Sequence, residues 1–322
     1  MIDDPVLIDE WHPVARCGDL ETARPLPVRL LGEDIVVWRA GEAVLAWQDL
    51  CIHRGTRLSL GKVVGDTLEC PYHGWTYGAD GRCVAIPAHP GQAPPAKAAV
   101  RPYRATVRYG LIWVSLGNPS RDVPVFPEWA DPSYRSMLCG PYRVNASGPR
   151  IIENFLDVGH FPFVHENILG TRERPEIDDY EAEIGPEGVE ARGVRVFQPD
   201  PYGTGVGAFV SYAYRAPRPL AAYLEKESDG PRFSLMLLVT PHEVADSTAW
   251  MIMAMNYGHE IPEAELISWQ DTIFLQDQPI LESQRPERLP LDLQAELHLR
   301  SDRTALAYRT WLRQLGLSFG TA

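Results

Sequence analysis

Two Cys/His pairs constrain this 322-residue chain more than any other feature: Cys51-Ile52-His53 and Cys70-Pro71-Tyr72-His73, with sixteen residues between His53 and Cys70. A thiolate and an imidazole in each of two loops supply four soft-to-borderline ligands for one site. The flanking sequence reads as short strands and Gly-containing turns. Val28–Leu31, Ile35–Trp38 and Ala43–Trp47 are brief β-prone runs, with Arg39-Ala40-Gly41-Glu42 as a hairpin loop. Thr106–Leu116 is a further aromatic and β-branched run, and Pro87–Pro102, rich in Pro and Ala, reads as an extended loop.

Two centres fit that ligand inventory. One is a tetrahedral zinc; the other is a Rieske [2Fe–2S] cluster, with two Cys on one iron and two His on the second. The spacings C-x-H and C-x-x-H favour the cluster, because zinc ligands more often come as C-x-x-C or H-x₃-H pairs. Gly55 and Gly74 follow the histidines and would let backbone N–H groups approach bridging sulfides. Arg54, Trp75 and Tyr77 complete the pattern C-x-H-R…C-P-Y-H-G-W-x-Y. Cys17, Cys83 and Cys139 are far apart and read as small buried hydrophobes.

The rest of the chain has a different character. Gly117–Pro132 contains four prolines and reads as a boundary linker. Beyond it, Ile151–Leu169 has helical spacing interrupted by Pro162, and Val189–Val196, Phe209–Arg215, Phe233–Thr240 and Thr248–Tyr257 read as strands of an antiparallel sheet. Glu263–Gln284 reads as a helix with Pro279 in its second half, and Asp302–Leu315 as a closing amphipathic helix. The expected fold class is α+β: a small all-β domain over 1–118, then a larger domain over 119–322 with an antiparallel sheet flanked by helices. A net charge of −13 argues against nonspecific nucleic-acid binding. The longest apolar stretches fall short of a membrane span, and Met1–Val14, with four acidic residues and no base, does not read as the start of a secretory signal, so none is expected. Five cysteines do not make a disulfide scaffold. A cytoplasmic location is expected.

The Cys/His pattern resembles that of the Rieske non-haem iron oxygenases, and the resemblance asks for a second centre: two His and one carboxylate on an Fe(II) that binds O₂. Asn154, Asp157 and His160 recur at three-residue steps, as on one helix face, and Pro162 lets His165 re-enter from the next turn. Together they match the family pattern N-x-x-D-x-x-H-x₄-H. The carboxylate is expected on the late helix, where Leu266, Gln270, Ile273, Asp277, Ile280 and Gln284 form a stripe. An ionised Asp277 buried there would cost several kcal/mol without a cationic partner. The family places its third ligand on this helix; Asp271 and Glu282 are the rivals.

The resemblance further implies a homotrimer in which each cluster feeds the iron of a neighbour. Asp157 would link His160 to the partner subunit's His73, and Asn154 would lie near the iron. Electrons would come from NAD(P)H through a ferredoxin or ferredoxin-type reductase. Residues 51–121 hold nine Lys and Arg against three Asp and Glu, +6 locally, which suits docking of an acidic donor or internal pairing equally. Matches at Ile86–Pro90, Arg108–Val114, Phe126–Trp129 and Asp302–Leu312 point to the α-subunit-only oxygenases, which include caffeine and vanillate demethylases and saxitoxin-pathway hydroxylases. The last are similar through the frame His160–Gly170. The expected reaction is monooxygenation of a small molecule by C–H hydroxylation, with oxidative N- or O-demethylation as the alternative; an electron carrier without oxygenase activity and a zinc-stapled binding module also remain open. Gln198–Ala208 and Ala213–Lys226 are expected as pocket walls.

Overall fold

The computed structural model describes residues 4–227 and 230–322, so the first three residues of the acidic Met1–Val14 stretch lie outside the described part. The chain divides into two units, Met1–Val123 and Pro124–Ala322, the division falling inside the Pro-rich Gly117–Pro132 segment. Among the described residues no helix is long and apolar enough to cross a membrane.

Short β-prone runs punctuated by glycine dominate the first unit. After one helical turn, α1 (Pro5–Ile8), come β1 (His12–Arg16), β2 (Leu26–Leu30), β3 (Glu33–Ala40), β4 (Ala43–Gln48), β5 (Lys62–Val64), β6 (Thr67–Glu69), β7 (Thr76–Gly78), β8 (Cys83–Ala85), β9 (Pro102–Arg108) and β10 (Leu111–Ser115). They form an antiparallel six-stranded sheet, β1-β10-β9-β4-β3-β2, and a four-stranded one, β5-β6-β7-β8. The run expected over Thr106–Leu116 is two strands. Tyr109 and Gly110 both take positive φ (56° and 71°), which makes the tight turn whose twist matches a hairpin. Trp38, Trp47, Leu58, Leu68 and Tyr77 pack around Cys51 and Cys70 in one buried cluster.

The second unit is built on seven antiparallel strands in the order β11-β17-β16-β15-β14-β13-β12: β11 (Arg135–Val144), β12 (Glu181–Gly185), β13 (Gly188–Gln198), β14 (Ala208–Arg218), β15 (Ala221–Glu227), β16 (Phe233–Glu243) and β17 (Asp246–Met255). Four were legible as apolar runs. β15, sequence AAYLEKE, was not, because Ala, Glu and Lys are poor strand formers on composition alone. Register and burial make it a strand inside the sheet nonetheless. The Gly140-Pro141 interruption and the adjacent bulge likewise hide β11.

Four helices accompany the sheet: α2 (Gly148–Leu156), α3 (Phe161–Val164), α4 (Glu263–Ser283) and α5 (Arg303–Leu315). The buried stripe of α4 is Leu266, Gln270, Ile273, Phe274, Asp277 and Leu281, whereas Ile280, expected on it, is exposed. A buried charge network joins α2 to α5. Arg309 forks onto Glu153 at 2.5 and 2.8 Å and reaches Glu296 at 2.5 Å, and Arg150 bonds Glu296 at 2.8 Å. Removing one member would strand a buried charge, at a cost of about 3–5 kcal/mol.

Candidate active site

The two Cys/His loops of the first unit repeat one backbone design. The Cys51 N–H donates to Thr56 O (2.8 Å) and the Gly55 N–H donates to Cys51 O (2.9 Å). In the second loop the Cys70 N–H donates to Trp75 O (2.8 Å) and the Gly74 N–H to Cys70 O (3.1 Å). Each closure requires a left-handed residue, and glycine supplies it at φ +72° and +69°. Both cysteines are buried, and the Tyr77 hydroxyl lies 3.1 Å from Cys51 Sγ. The His53 and His73 ring centroids are 4.5 Å apart, with His53 stacked on Trp75. Burial pushes the Cys70 thiol up, so a thiolate there needs a cation beside it. His53 Nδ1 is buried and has no hydrogen-bond partner among the described residues. Two buried sulfurs and an orphaned imidazole nitrogen suit an iron–sulfur group.

The second constellation departs from the single helix face expected of it. Helix α2 stops at Leu156, and Asp157 is its extended C-cap (φ −93°, ψ 129°). His160 is the N-cap of α3 and His165 its C-cap, while Pro162 sits in the first turn, where its missing N–H leaves no gap in the helix. The new turn, not a disturbed old one, brings the histidines together. Across from them α4 presents Asp277. The ligand atoms of His160, His165 and Asp277 lie within 4.8 Å of one another, with Asp277 Oδ1 3.1 Å from His165 Nε2 and 3.5 Å from His160 Nε2. The rivals are engaged elsewhere: Asp271 accepts from the Tyr142 hydroxyl, and Glu282 from the Asn145 backbone and Gln278.

Supporting bonds fix which nitrogens face inward. His165 Nδ1 donates to Gln276 Oε1 at 2.8 Å and His160 Nδ1 to Asp157 Oδ2 at 3.1 Å. In the neutral rings both Nε2 atoms are therefore bare lone pairs aimed at a buried carboxylate oxygen that has no hydrogen-bond partner of its own. Two lone pairs and an anion at this spacing repel unless a cation sits among them, and the donor set suits ferrous iron with open positions. Burial works against the charged form of His160, yet Asp157 outweighs it and raises the imidazole. Asp157 is itself held below the usual carboxylate range despite burial, through His160 and the Gly159 N–H at 2.7 Å. Sequence reasoning missed Gln276; an acceptor on the same helix as the third ligand, one residue before it, was the available signal.

The triad opens into a cavity of about 590 Å³, which Asn154 also lines. Its walls are largely apolar, with Phe155, Phe161, Phe233 and Trp269 among the aromatics. The expected wall segments contribute Gln198, Asp200–Gly203, Leu224 and Lys226. Residues paired across the sheet, Tyr212–Lys226–Phe233–Met255 and beside them Leu224–Leu235–Met253, form its floor.

The basic segment of the first unit is more neutral than its sequence window suggested. Asp34, Asp122 and Glu10, all outside residues 51–121, pair with Arg57, Arg108 and Arg121, while Lys62 and Arg82 pair with Glu69 and Asp80. The whole unit holds thirteen Lys and Arg against fourteen Asp and Glu, a net of −1.

Comparison with known proteins finds matches to both parts of the chain. The model of the Rieske [2Fe-2S] domain matches residues 10–104, and that of the vanillate O-demethylase oxygenase C-terminal domain matches 144–317. Methylxanthine N1-demethylase NdmA of Pseudomonas putida is 33% identical over 319 residues, 95% of this chain and 88% of that protein. Methylxanthine N3-demethylase NdmB of the same species is 29% identical over 96% of this chain and 89% of its own length. The solved structure of Pseudomonas putida CBB5 NdmA with caffeine superposes with a TM-score of 0.84 at 32% identity, covering 96% of this chain and 90% of that one. The chain belongs to the Rieske non-haem iron oxygenases. It is an oxidoreductase whose cofactors are a Rieske [2Fe–2S] cluster and a mononuclear iron, with O₂ as oxidant and electrons from a reductase. The electron-carrier and zinc-module readings fall with this result.

Proposed function

We propose that this chain is the oxygenase component of an oxidative N-demethylase acting on a small aromatic substrate. The observation that carries the reading is the His160, His165 and Asp277 triad opening into a largely apolar, aromatic-walled cavity. The kinship to N-demethylases supports the choice of reaction. His160, His165 and Asp277 would hold the iron, and Cys51, His53, Cys70 and His73 the cluster, with 1–118 as the cluster domain and 119–322 as the catalytic one. The iron, when bound, supplies activation of O₂.

The chain's own residues do the rest. Asp157 and Gln276 keep both imidazoles in the tautomer that presents Nε2. The apolar walls exclude water and hold a methyl group toward the triad. Net, R₂N–CH₃ + O₂ + 2e⁻ + 2H⁺ gives R₂NH + HCHO + H₂O, because a hydroxylated N-methyl carbon expels formaldehyde. The C–H hydroxylation first expected is the same elementary step on a carbon that keeps its hydroxyl. In a homotrimer, Asp157 would also reach the partner subunit's His73. Ile52 and Tyr72, in the two ligand loops, are 51% and 62% exposed, an apolar rim suited to cover by a neighbouring subunit or the donor.

Holoenzyme incubated with a ferredoxin-type reductase, NADH and a panel of N-methylated heteroaromatics should release one formaldehyde per O₂ consumed. A hydroxylated product with its carbon retained, and no formaldehyde, overturns demethylation in favour of hydroxylation.

A further inference from the structure

Among the described residues, Lys226 is the sole basic side chain lining the cavity apart from the two triad histidines. It lies on β15, paired in register with Tyr212 on one side and Phe233 on the other, and is 93% buried, its relative exposure being 7%. Its Nζ donates to Pro201 O at 2.8 Å and rests over the rings of Tyr202 and Phe233 at 5.2 and 5.9 Å. Among the described residues no carboxylate lies within ion-pair distance of it. Asp200, Glu260 and Glu265 also line the cavity but are exposed, where water and salt screen them.

An ammonium has three N–H donors, and one carbonyl satisfies one of them. The two aromatic faces offset part of the desolvation but accept no hydrogen bond along a lone pair. A buried cation left in this state is costly unless a partner completes it, and the open space beside it is the substrate cavity. We infer that Lys226 forms an anion subsite in that cavity and that the substrate carries a carboxylate which this ammonium receives. The subsite deepens the demethylase reading and rests on it for the identity of the cavity: the methyl group faces the triad while the carboxylate meets Lys226, and the two ends fix one orientation of the ring between them.

Calorimetric titration of anaerobic holoenzyme at pH 7 tests this with matched acid and primary-amide pairs. Suitable probes are 1-methylindole-3-carboxylate, 1-methylpyrrole-2-carboxylate and 4-methoxybenzoate, each against its carboxamide. At least one acid should bind 30-fold or more tightly than its amide. Lys226→Met should bring the ratio near one, Lys226→Gln should do the same, and Lys226→Arg should keep the preference, with the visible spectrum of the cluster unchanged in all three. The proposal fails if no acid outbinds its amide, including the case in which nothing binds, or if the two uncharged variants keep the preference. Binding needs no turnover, so the two readings separate: acid preference without formaldehyde removes demethylation alone, and formaldehyde from neutral amides without acid preference removes the subsite alone.

Discussion

The two candidate metal centres draw on opposite kinds of sequence information. In the first unit, Cys51-x-His53 and Cys70-x-x-His73 sit in loops that each close within six residues, on a backbone hydrogen-bond pair and one glycine. In the second, His160 and His165 lie at the two ends of a four-residue helix, and Asp277 arrives from a helix more than a hundred residues later. The first arrangement is stored locally and needs only a small β framework to hold two turns. The second exists only once α2, α3 and α4 have packed on their sheet, and its proposed ligands depend on groups, Asp157 and Gln276, that are not themselves among them. Damage to the second should therefore spread from ligand to support in graded steps.

The largest effect tests the ligand itself. Asp277→Ala should lower iron from about three atoms per chain to two and cut turnover at least about a thousand-fold, since metal chemistry is worth several kcal/mol. The visible spectrum of the cluster should be unchanged. Loss of that spectrum as well would break the separation between the two centres. Next comes Asp157→Ala, which should keep both metals yet lose nearly all turnover, because the carboxylate orients His160 and would carry the link to the partner cluster. A variant retaining half its activity refutes the bridge. Gln276→Leu should be milder: iron affinity falls about 10- to 100-fold, the usual cost of losing an acceptor behind a metal-bound imidazole, and added ferrous iron restores activity.

That ranking matches what could be seen in the chain before it folded. The cluster loops were legible outright, since spacing and residue type carry the geometry. The triad was legible in its members but not in its geometry. Three-residue steps from Asn154 to His160 suggested one helix, yet the backbone turns out at Asp157 and starts again at His160, a choice made by packing rather than by propensity. Least legible was the cavity floor. Ala213–Lys226 was expected as a pocket wall but not as a strand over β15, whose apolar pattern Glu225 and Lys226 break, and only the register with β14 and β16 shows that Lys226 points into a buried space. A residue that spoils a strand pattern there is the one that distinguishes the cavity chemically.

Lys226 also offers a pH test. Burial lowers it to about 8, against the pull of Asp200. For a carboxylate substrate, kcat/KM should hold steady from pH 7 to about 8 and then fall up to tenfold per unit as the free enzyme's ammonium loses its proton. Tyr257, pushed up to about 12 by burial, and Tyr212, pushed higher still, keep their protons across that window. Asp200 is the exposed carboxylate of the facing loop, and the Phe233 ring beside the amine does not titrate. Lys226→Met should lack the descending limb; the same limb in that variant assigns it to another group.

The smallest predicted difference lies within the local centre, between its two matched turns. Alanine at either glycine meets the same left-handed backbone, a strain of about 1–2 kcal/mol. The surroundings then diverge. A Cβ on Gly55 would sit 3.7 Å from Leu50 Cδ1, an ordinary contact, whereas on Gly74 it would sit 3.0 Å from Pro87 Cγ, in a ring that cannot rotate away. Gly74→Ala should therefore lower the melting temperature, followed through the visible signal of the cluster, by a few degrees more than Gly55→Ala. Equal losses would mean that backbone strain alone governs both turns, and that the loop carrying Pro87 yields to the new methyl group.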